Sequence, residues 1–370
     1  MDAHVGEAVR RAFDLPSGTL TPEPVARGQL GVVHRYDALD GSRWAVKQVI
    51  ASPSEGEVAP AAQFEDAALR HGVPVPAVRR TVSGAVLAKV GSRTFRVSSW
   101  VDLKPADIDL DAATVGALLA TLHAVPTDLP TSAGVRAVDP WYVEPVGAAV
   151  WDTLISRCLV RKAPLAERLA AHRDELVALE GLLSFSTSLT SSTSSTSLTS
   201  PSSLRTCHRD LFADNVRGTG QGGICVIDFD SSGPADPSQE LAFVLVEFAT
   251  DATGAMDQIR GQTLLDAYAA AGGPGRLTGP GSFSMVVAVL GHLAELGVRR
   301  WLAATDPGEP ADPCYPGDPA DPGDPGDPGD PGDHRDPGDP GDRDAAAAIV
   351  GLLLDRPLTR DVIDGLLTLR

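Results

Sequence analysis

The sequence predicts an α+β protein in two lobes: a strand-rich N-terminal lobe over residues 1–101 and a mainly helical C-terminal lobe over residues 102–370. Three observations predict this. Runs of alternating and β-branched residues, bounded by turn residues, fill the first hundred positions. Helical spacing takes over from Asp111 onward. Two low-complexity stretches, at about 184–203 and 305–344, interrupt the helical part without ending it, because helical spacing resumes after each.

Val5 to Phe13 has the spacing of a short amphipathic helix. Val32–Tyr36 and Arg43–Ile50 read as a hairpin around Asp40-Gly41. Gln63–His71 reads as a helix stopped by Gly72, Pro74 and Pro76. Thr81–Val90 and Arg93–Val101 form a second strand pair around Gly91. Asp111 caps a helix to Ala124 that carries Leu118, Leu119 and Leu122 on one face. Helical patterns follow at Leu165–Leu183, Gln239–Ala249, Met256–Ala271, Phe283–Ala304, Ala345–Leu354 and Thr359–Leu369. The first low-complexity stretch is nearly all Ser and Thr, and the second repeats Asp-Pro-Gly. Neither buries enough apolar surface to offset the entropy of ordering, so both are expected to be disordered inserts. The Asp-Pro-Gly run is too short and too acidic for a collagen-type assembly.

Composition narrows the function. The chain has 370 residues, 43% hydrophobic and 22% charged, enough for a sizeable core. Its net charge of −18 is mostly local: residues 305–344 carry −11, which leaves −7 elsewhere. Without a basic stripe, a nucleic-acid partner is not expected. No run of 18 apolar residues or apolar N-terminal signal core occurs, so neither a membrane role nor export is expected. Cys158, Cys207, Cys225 and Cys314 form no CxxC pair, which fits reduced thiols in a cytoplasm. The oligomeric state is not legible.

Chemistry is densest between Cys207 and Asp230: Cys-His-Arg-Asp-Leu-Phe-Ala-Asp-Asn-Val-Arg, a Gly-rich turn, then Ile-Cys-Val-Ile-Asp-Phe-Asp. Singly, such residues are most often solvated turn chemistry. In this order they match what phosphoryl transfer from magnesium-bound ATP needs. Asp210 is placed to accept or orient a hydroxyl proton. Asn215, five residues later, and Asp228, at the end of an apolar strand, supply hard oxygen ligands for magnesium. Asp230 is a further metal candidate. His208 is assigned to the catalytic loop, more as an orienting group than as a proton acceptor. Upstream, Lys47 ends the apolar run Trp44-Ala45-Val46, and Gly28 and Gly31 flank Gln29-Leu30. Two glycines suffice to bring backbone N–H groups near phosphate.

These residues resemble the aminoglycoside phosphotransferase family, the small-molecule branch of the protein-kinase-like fold. The likeness rests on His208, Asp210 and Asn215, on Ile227-Asp228-Phe229-Asp230, and on Ala235-Asp236-Pro237 followed by Leu241-Ala242. It extends to Leu118–His123 and to Gly72-Val73-Pro74-Val75-Pro76, and covers roughly residues 20–300. The resemblance implies ATP and Mg2+ as cofactors and a small-molecule hydroxyl as acceptor, an aminoglycoside-like compound or another amino or sugar alcohol. It places Lys47 on the phosphates with an acid of the next helix as partner, Glu65 first, with Asp66 and Glu57 as alternatives. It puts the adenine-binding hinge at Ser98–Val101, so Ser99, Trp100 and Val101 are nucleotide-side residues, with Trp100 expected to pack the hinge rather than stack on the base. Asp139–Glu144, His292 and Glu295 are candidates for the acceptor side.

There are departures. Glu240 stands where the family commonly has Asp, and Arg209 gives the His-Arg-Asp form of protein kinases. No Ala-Pro-Glu follows Asp228 and a helix begins by about Gln239, which leaves no room for a long activation segment and disfavours a protein substrate. The competing expectations are a catalytically silent nucleotide-binding protein of the same fold and a metal-dependent hydrolase, which has no use for Lys47 or Asn215.

Overall fold

The structure is a computed structural model and describes residues 3–28, 31–50, 53–126, 139–191, 204–305 and 340–369. The expectation of disorder at 192–203 and 306–339 therefore lies outside the described residues, as do Gln29 and Leu30 of the glycine turn and Cys314.

The first lobe is an antiparallel sheet with two helices. In chain order it runs α1 (Ala3–Ala12), β1 (Gly18–Leu20), β2 (Ala26–Gly28), β3 (Gly31–Ala38), β4 (Arg43–Val49), α2 (Glu55–Arg70), β5 (Val78–Arg79), β6 (Leu87–Val90) and β7 (Arg93–Ser99). The strand order is β1-β3-β4-β7-β5, with β2 beside β3 and β6 beside β7. One face buries Tyr36, Val46, Phe95 and Val97 against Val9 of α1 and Phe13 just after it. Strand side chains alternate, so Lys47 and Arg96 project from the opposite face. They are direct cross-strand partners in the β4–β7 register.

Two elements differ from the spacing argument. Helix α2 starts at Glu55 rather than Gln63, because the Glu57 carboxylate accepts the Ser54 N–H at 2.6 Å and closes the first turn. The strand read over Thr81–Val90 shrinks to Leu87–Val90, because Gly84 N–H bonds to Thr81 O at 2.9 Å with Gly84 at φ +85°. That closes a turn instead.

The second lobe contains α3 (Ala112–His123), a 3-10 turn (Pro140–Tyr142), α4 (Ala148–Val160) and α5 (Ala166–Ser191). Four short strands follow: β8 (Arg205–Cys207), β9 (Val216–Gly218), β10 (Ile224–Val226) and β11 (Gly233–Ala235). The lobe closes with α6 (Pro237–Phe248), α7 (Gln258–Ala270), α8 (Ser284–Thr305), α9 (Pro340–Asp355) and α10 (Arg360–Leu366). Strand β8 pairs with β11 and β9 with β10. The spacing argument does not reveal β8, β9 or β11, because three residues cannot show alternation, nor α4, whose N-cap is Gly147. Helix α5 also runs on to Ser191, and α9 begins at Pro340, both inside stretches read as inserts.

Residues 280–305 are long and apolar enough to cross a membrane, but this helical stretch is mostly buried. The first half of α8 packs Met285, Val286 and Val289 into the core around α6. The second half packs Val298, Trp301 and Leu302 against α4, α5 and α9. Its apolarity is that of a core helix enclosed on both sides. Helices α3 and α7 meet at Gly116, where an added Cβ would lie 2.2 Å from the Leu264 carbonyl oxygen. Gly116→Ala is expected to force the pair apart and cost about 1–3 kcal/mol, read by thermal or urea unfolding. Unchanged stability would show that the two backbones have room to separate.

Candidate active site

The two small strand pairs hold the chemistry-bearing loops. Strand β8 delivers His208, Arg209 and Asp210, and β10 delivers Asp228. A hydrogen bond from Ile227 N–H to Asn215 O, 2.9 Å, keeps the loop ends side by side. Arg209 (φ +66°) and Asp228 (φ +60°) both adopt the left-handed conformation, which costs an L-residue energy and is held here by the surrounding contacts.

Asp210 lies at the mouth of this loop. The Asn215 side-chain amide donates to the Asp210 carboxylate at 2.9 Å and to its carbonyl at 2.8 Å. Because its NH2 group is committed to Asp210, Asn215 has its amide oxygen left for a cation. Burial, with the nearby charges of Asp214 and Asp228, pushes the Asp210 carboxyl up to about 7.

His208 is fully buried, and its Nε2 lies 3.0 Å from the Ile227 carbonyl oxygen. A carbonyl only accepts, so Nε2 carries the proton. Nδ1 has no partner among the described residues, and burial holds the imidazole below its usual range, hence neutral. A neutral ring sealed from solvent cannot exchange a proton with a substrate. Its hydrogen bond to the Ile227 carbonyl holds the backbone next to Asp228, the contact expected of an orienting group rather than of a proton acceptor. Its ring packs edge-on to Phe229 at 4.7 Å, and Phe229 to Phe64 of α2 at 5.6 Å.

Lys47 reaches across to this loop. Its Nζ lies 2.9 Å from Asp228 Oδ1 and 2.8 Å from Asp230 Oδ2. The expected pairing with an acid of α2 is absent. Glu65 is taken by Arg96 Nη2, Asp66 pairs with Arg80 at 2.6 Å, and Glu57 caps its own helix. The cause is the strand register, which sets Arg96 beside Lys47 with a longer, forked head. Arg96 Nη1 also lies 2.5 Å from Asp230 Oδ1. Both Asp230 oxygens are therefore engaged by cations of the chain. Burial alone would push the Asp230 carboxyl up, but Lys47 and Arg96 outweigh it and hold the group well below the usual carboxylate range. The Asp228 carboxylate, already drawn to an ammonium, and the Asn215 amide oxygen are hard-oxygen donors of the kind that fits magnesium.

The nucleotide-side residues are placed as follows. Gly28 pairs with Gly31 at the end of the β2–β3 hairpin. A Cβ on Gly31 would lie 2.5 Å from the Gln48 carbonyl oxygen, so only glycine lets β3 start this close to β4. At the hinge, Ser99 N–H bonds to Ala77 O at 2.9 Å and Trp100 N–H to Arg43 O at 3.0 Å. Neither N–H is open to a base. The Val101 backbone makes no hydrogen bond among the described residues. The Trp100 indole donates to Asp102 at 2.8 Å, with Arg35 over its ring.

On the acceptor side, Tyr142 is buried beneath the Arg209 guanidinium, 4.0 Å from ring to cation, so it packs rather than lines a cleft. Trp141 stacks on His292 at 4.9 Å, and His292 lies 3.2 Å from Glu295.

Sequence reasoning misses three supports. Arg96 carries no local signal; only the β4–β7 pairing reveals its place. Glu247 accepts the Ala213 N–H at 2.9 Å and is held by Arg356 at 3.0 Å. His123 and Glu240 form the third support. The Glu240 carboxylate accepts the Arg209 N–H at 2.5 Å and lies 2.8 Å from His123 Nε2, while His123 Nδ1 meets the Tyr268 hydroxyl at 2.8 Å. Cys207 adjoins this group, but both His123 nitrogens are engaged and burial keeps the thiol protonated. The cluster is therefore a hydrogen-bonded brace rather than a metal site. Glu240→Ala would strand the Arg209 N–H and a His123 nitrogen, and is expected to cost about 3–5 kcal/mol in urea unfolding. A cost under about 1 kcal/mol, the size of a surface pair, would show that the brace is dispensable.

A model of the Phosphotransferase enzyme family (APH) matches residues 23–278. The fold is similar to that of an aminoglycoside phosphotransferase from Alicyclobacillus acidocaldarius, with 17% identity, 96% of this chain and 93% of that one covered, and TM-score 0.51. It is also similar to amicoumacin kinase hAmiN, solved with AMP-PNP, Ca2+ and Ami: 13% identity, 96% and 93% coverage, TM-score 0.55. A microcompartment-associated aminopropanol kinase aligns at 17% identity over 78% of this chain and 88% of its own, with TM-score 0.50. No curated protein matches significantly.

Proposed function

This chain belongs to the phosphotransferase enzyme family and has the protein-kinase-like fold, and from that premise we propose that it moves the γ-phosphate of magnesium-bound ATP to a hydroxyl of a small amino or sugar alcohol. The observation that carries the reading is the half-buried Asp210, held by Asn215 and facing the acids that Lys47 bridges. Asn215 and Asp228 would hold magnesium, which supplies charge neutralisation at the transferring phosphoryl group. Asp210 orients the acceptor hydroxyl and takes its proton; a carboxyl poised near 7 suits a base working at neutral pH. The Asn215 amide fixes the carboxylate in place, and Lys47 supplies positive charge to the phosphates. Asp228 and α6, which starts at Pro237, are joined by one 3-10 turn and β11, a connection too short to present a long peptide. The similarity to an aminopropanol kinase and to an aminoglycoside phosphotransferase supports an amino or sugar alcohol.

The test is a screen of purified protein with γ-labelled ATP and Mg2+ against aminoglycosides, amino alcohols and sugar alcohols. Label transferred to one class identifies the acceptor. Nucleotide binding with no acceptor phosphorylated would favour the silent binding protein instead.

A further inference from the structure

We propose that Arg96 is a positioning residue for phosphate capture: it holds Glu65 and Asp230, so that the Lys47 ammonium is free to pass from the aspartates to a nucleotide phosphate. This rests on the nucleotide-binding reading above. Lys47 and Arg96 are direct partners across β4 and β7, on one face of the sheet. Like charges so placed repel, and they persist here because three acids, Glu65, Asp228 and Asp230, converge on them. The two cations divide those acids unequally. Arg96 spends one fork on Glu65 of α2 and the other on Asp230 Oδ1, whereas Lys47 takes Asp228 Oδ1 and Asp230 Oδ2.

The division sets which cation can leave. Arg96 and Glu65 are both at least nine-tenths buried, at 9% and 4% exposure, and the planar guanidinium matches two acceptors at once. If Lys47 withdraws, Asp230 keeps Arg96 and is not left as a buried unpaired charge. Without Arg96, withdrawal would strand Asp230 as a buried unpaired charge, so Lys47 would stay where it is. Helix α2 does not depend on Lys47 either, because Phe64 packs on Phe229 and Glu65 binds Arg96. The mobile point charge is thus released for the ligand while the rigid fork keeps the lobes in register.

The experiment uses the full chain and two ligands, AMP-PNP with Mg2+ and adenosine, titrated by calorimetry. Arg96→Met risks misfolding because it leaves Glu65 unpaired, so the main variant is Arg96→Met with Glu65→Met, which replaces the buried pair by apolar side chains of similar volume. Its melting temperature identifies a folded protein. We expect AMP-PNP affinity to fall by about tenfold, the size of a lost charged contact, while adenosine affinity, which involves no phosphate, holds. Arg96→Lys keeps the charge but not the fork and is expected to lose AMP-PNP affinity in the same direction. Equal losses for both ligands, or none for either, would overturn the proposal and leave Arg96 a merely structural residue. Failure of the wild type to bind AMP-PNP would instead overturn the nucleotide reading itself.

Discussion

Asp210→Asn is expected to lower phosphate transfer by about a hundredfold or more while nucleotide binding stays within several-fold of wild type. The amide keeps the shape and the hydrogen-bonding capacity toward Asn215, and loses only the charge and the proton affinity. The wild-type pH profile has a definite sign. A base works when ionised, and burial with the charges of Asp214 and Asp228 raises this carboxyl to about 7. Wild-type kcat/KM should therefore be level above about 7 and fall tenfold per unit below it, and the residual rate of the variant should lack that limb. Stability runs the other way. A carboxyl raised above its unfolded value favours the folded state at acid pH, and that contribution is lost as pH climbs through about 7. At pH 8 the variant is spared a buried charge, so its melting temperature should rise relative to wild type. Transfer near the wild-type rate would show that Asp210 is not the base.

Asp228→Ala is expected to remove metal-dependent turnover, by about a hundredfold or more, because the proposed magnesium site loses a carboxylate worth several kcal/mol of charge stabilisation. The residue also sits at φ +60°, where alanine pays about 1–2 kcal/mol, so a modest drop in melting temperature should accompany the loss. Asp228→Asn separates the two effects, since Asn tolerates the left-handed conformation and keeps an oxygen donor but not the charge. It should recover the stability and not the turnover. Titration of Mn2+ in the presence of AMP-PNP reads the metal site directly. Full magnesium-dependent activity in Asp228→Ala would end the assignment of Asp228 as a metal ligand.

Local pattern sufficed for much of the architecture. The β3–β4 hairpin, the long helices and the order His208, Asp210, Asn215, Asp228 are all legible from spacing and turn chemistry, because each depends on residues a few positions apart. The short strands β8, β9 and β11 escape that reading: three residues carry no period, and their existence depends on pairing across up to about thirty positions. Charge partnership escapes it for the same reason. Nothing local distinguishes Glu65 from Asp66 or Glu57 as a partner for Lys47, and Arg96, which claims Glu65, is 31 residues from it along the chain. Residue type alone determined which groups are chemically able to bind metal, phosphate or a proton. Which of them meet was decided by strand register and burial: these set Arg96 beside Lys47, sealed His208 from solvent and turned Glu240 onto the backbone of Arg209, because Coulomb and hydrogen-bond energies depend on distances in space that the sequence does not contain.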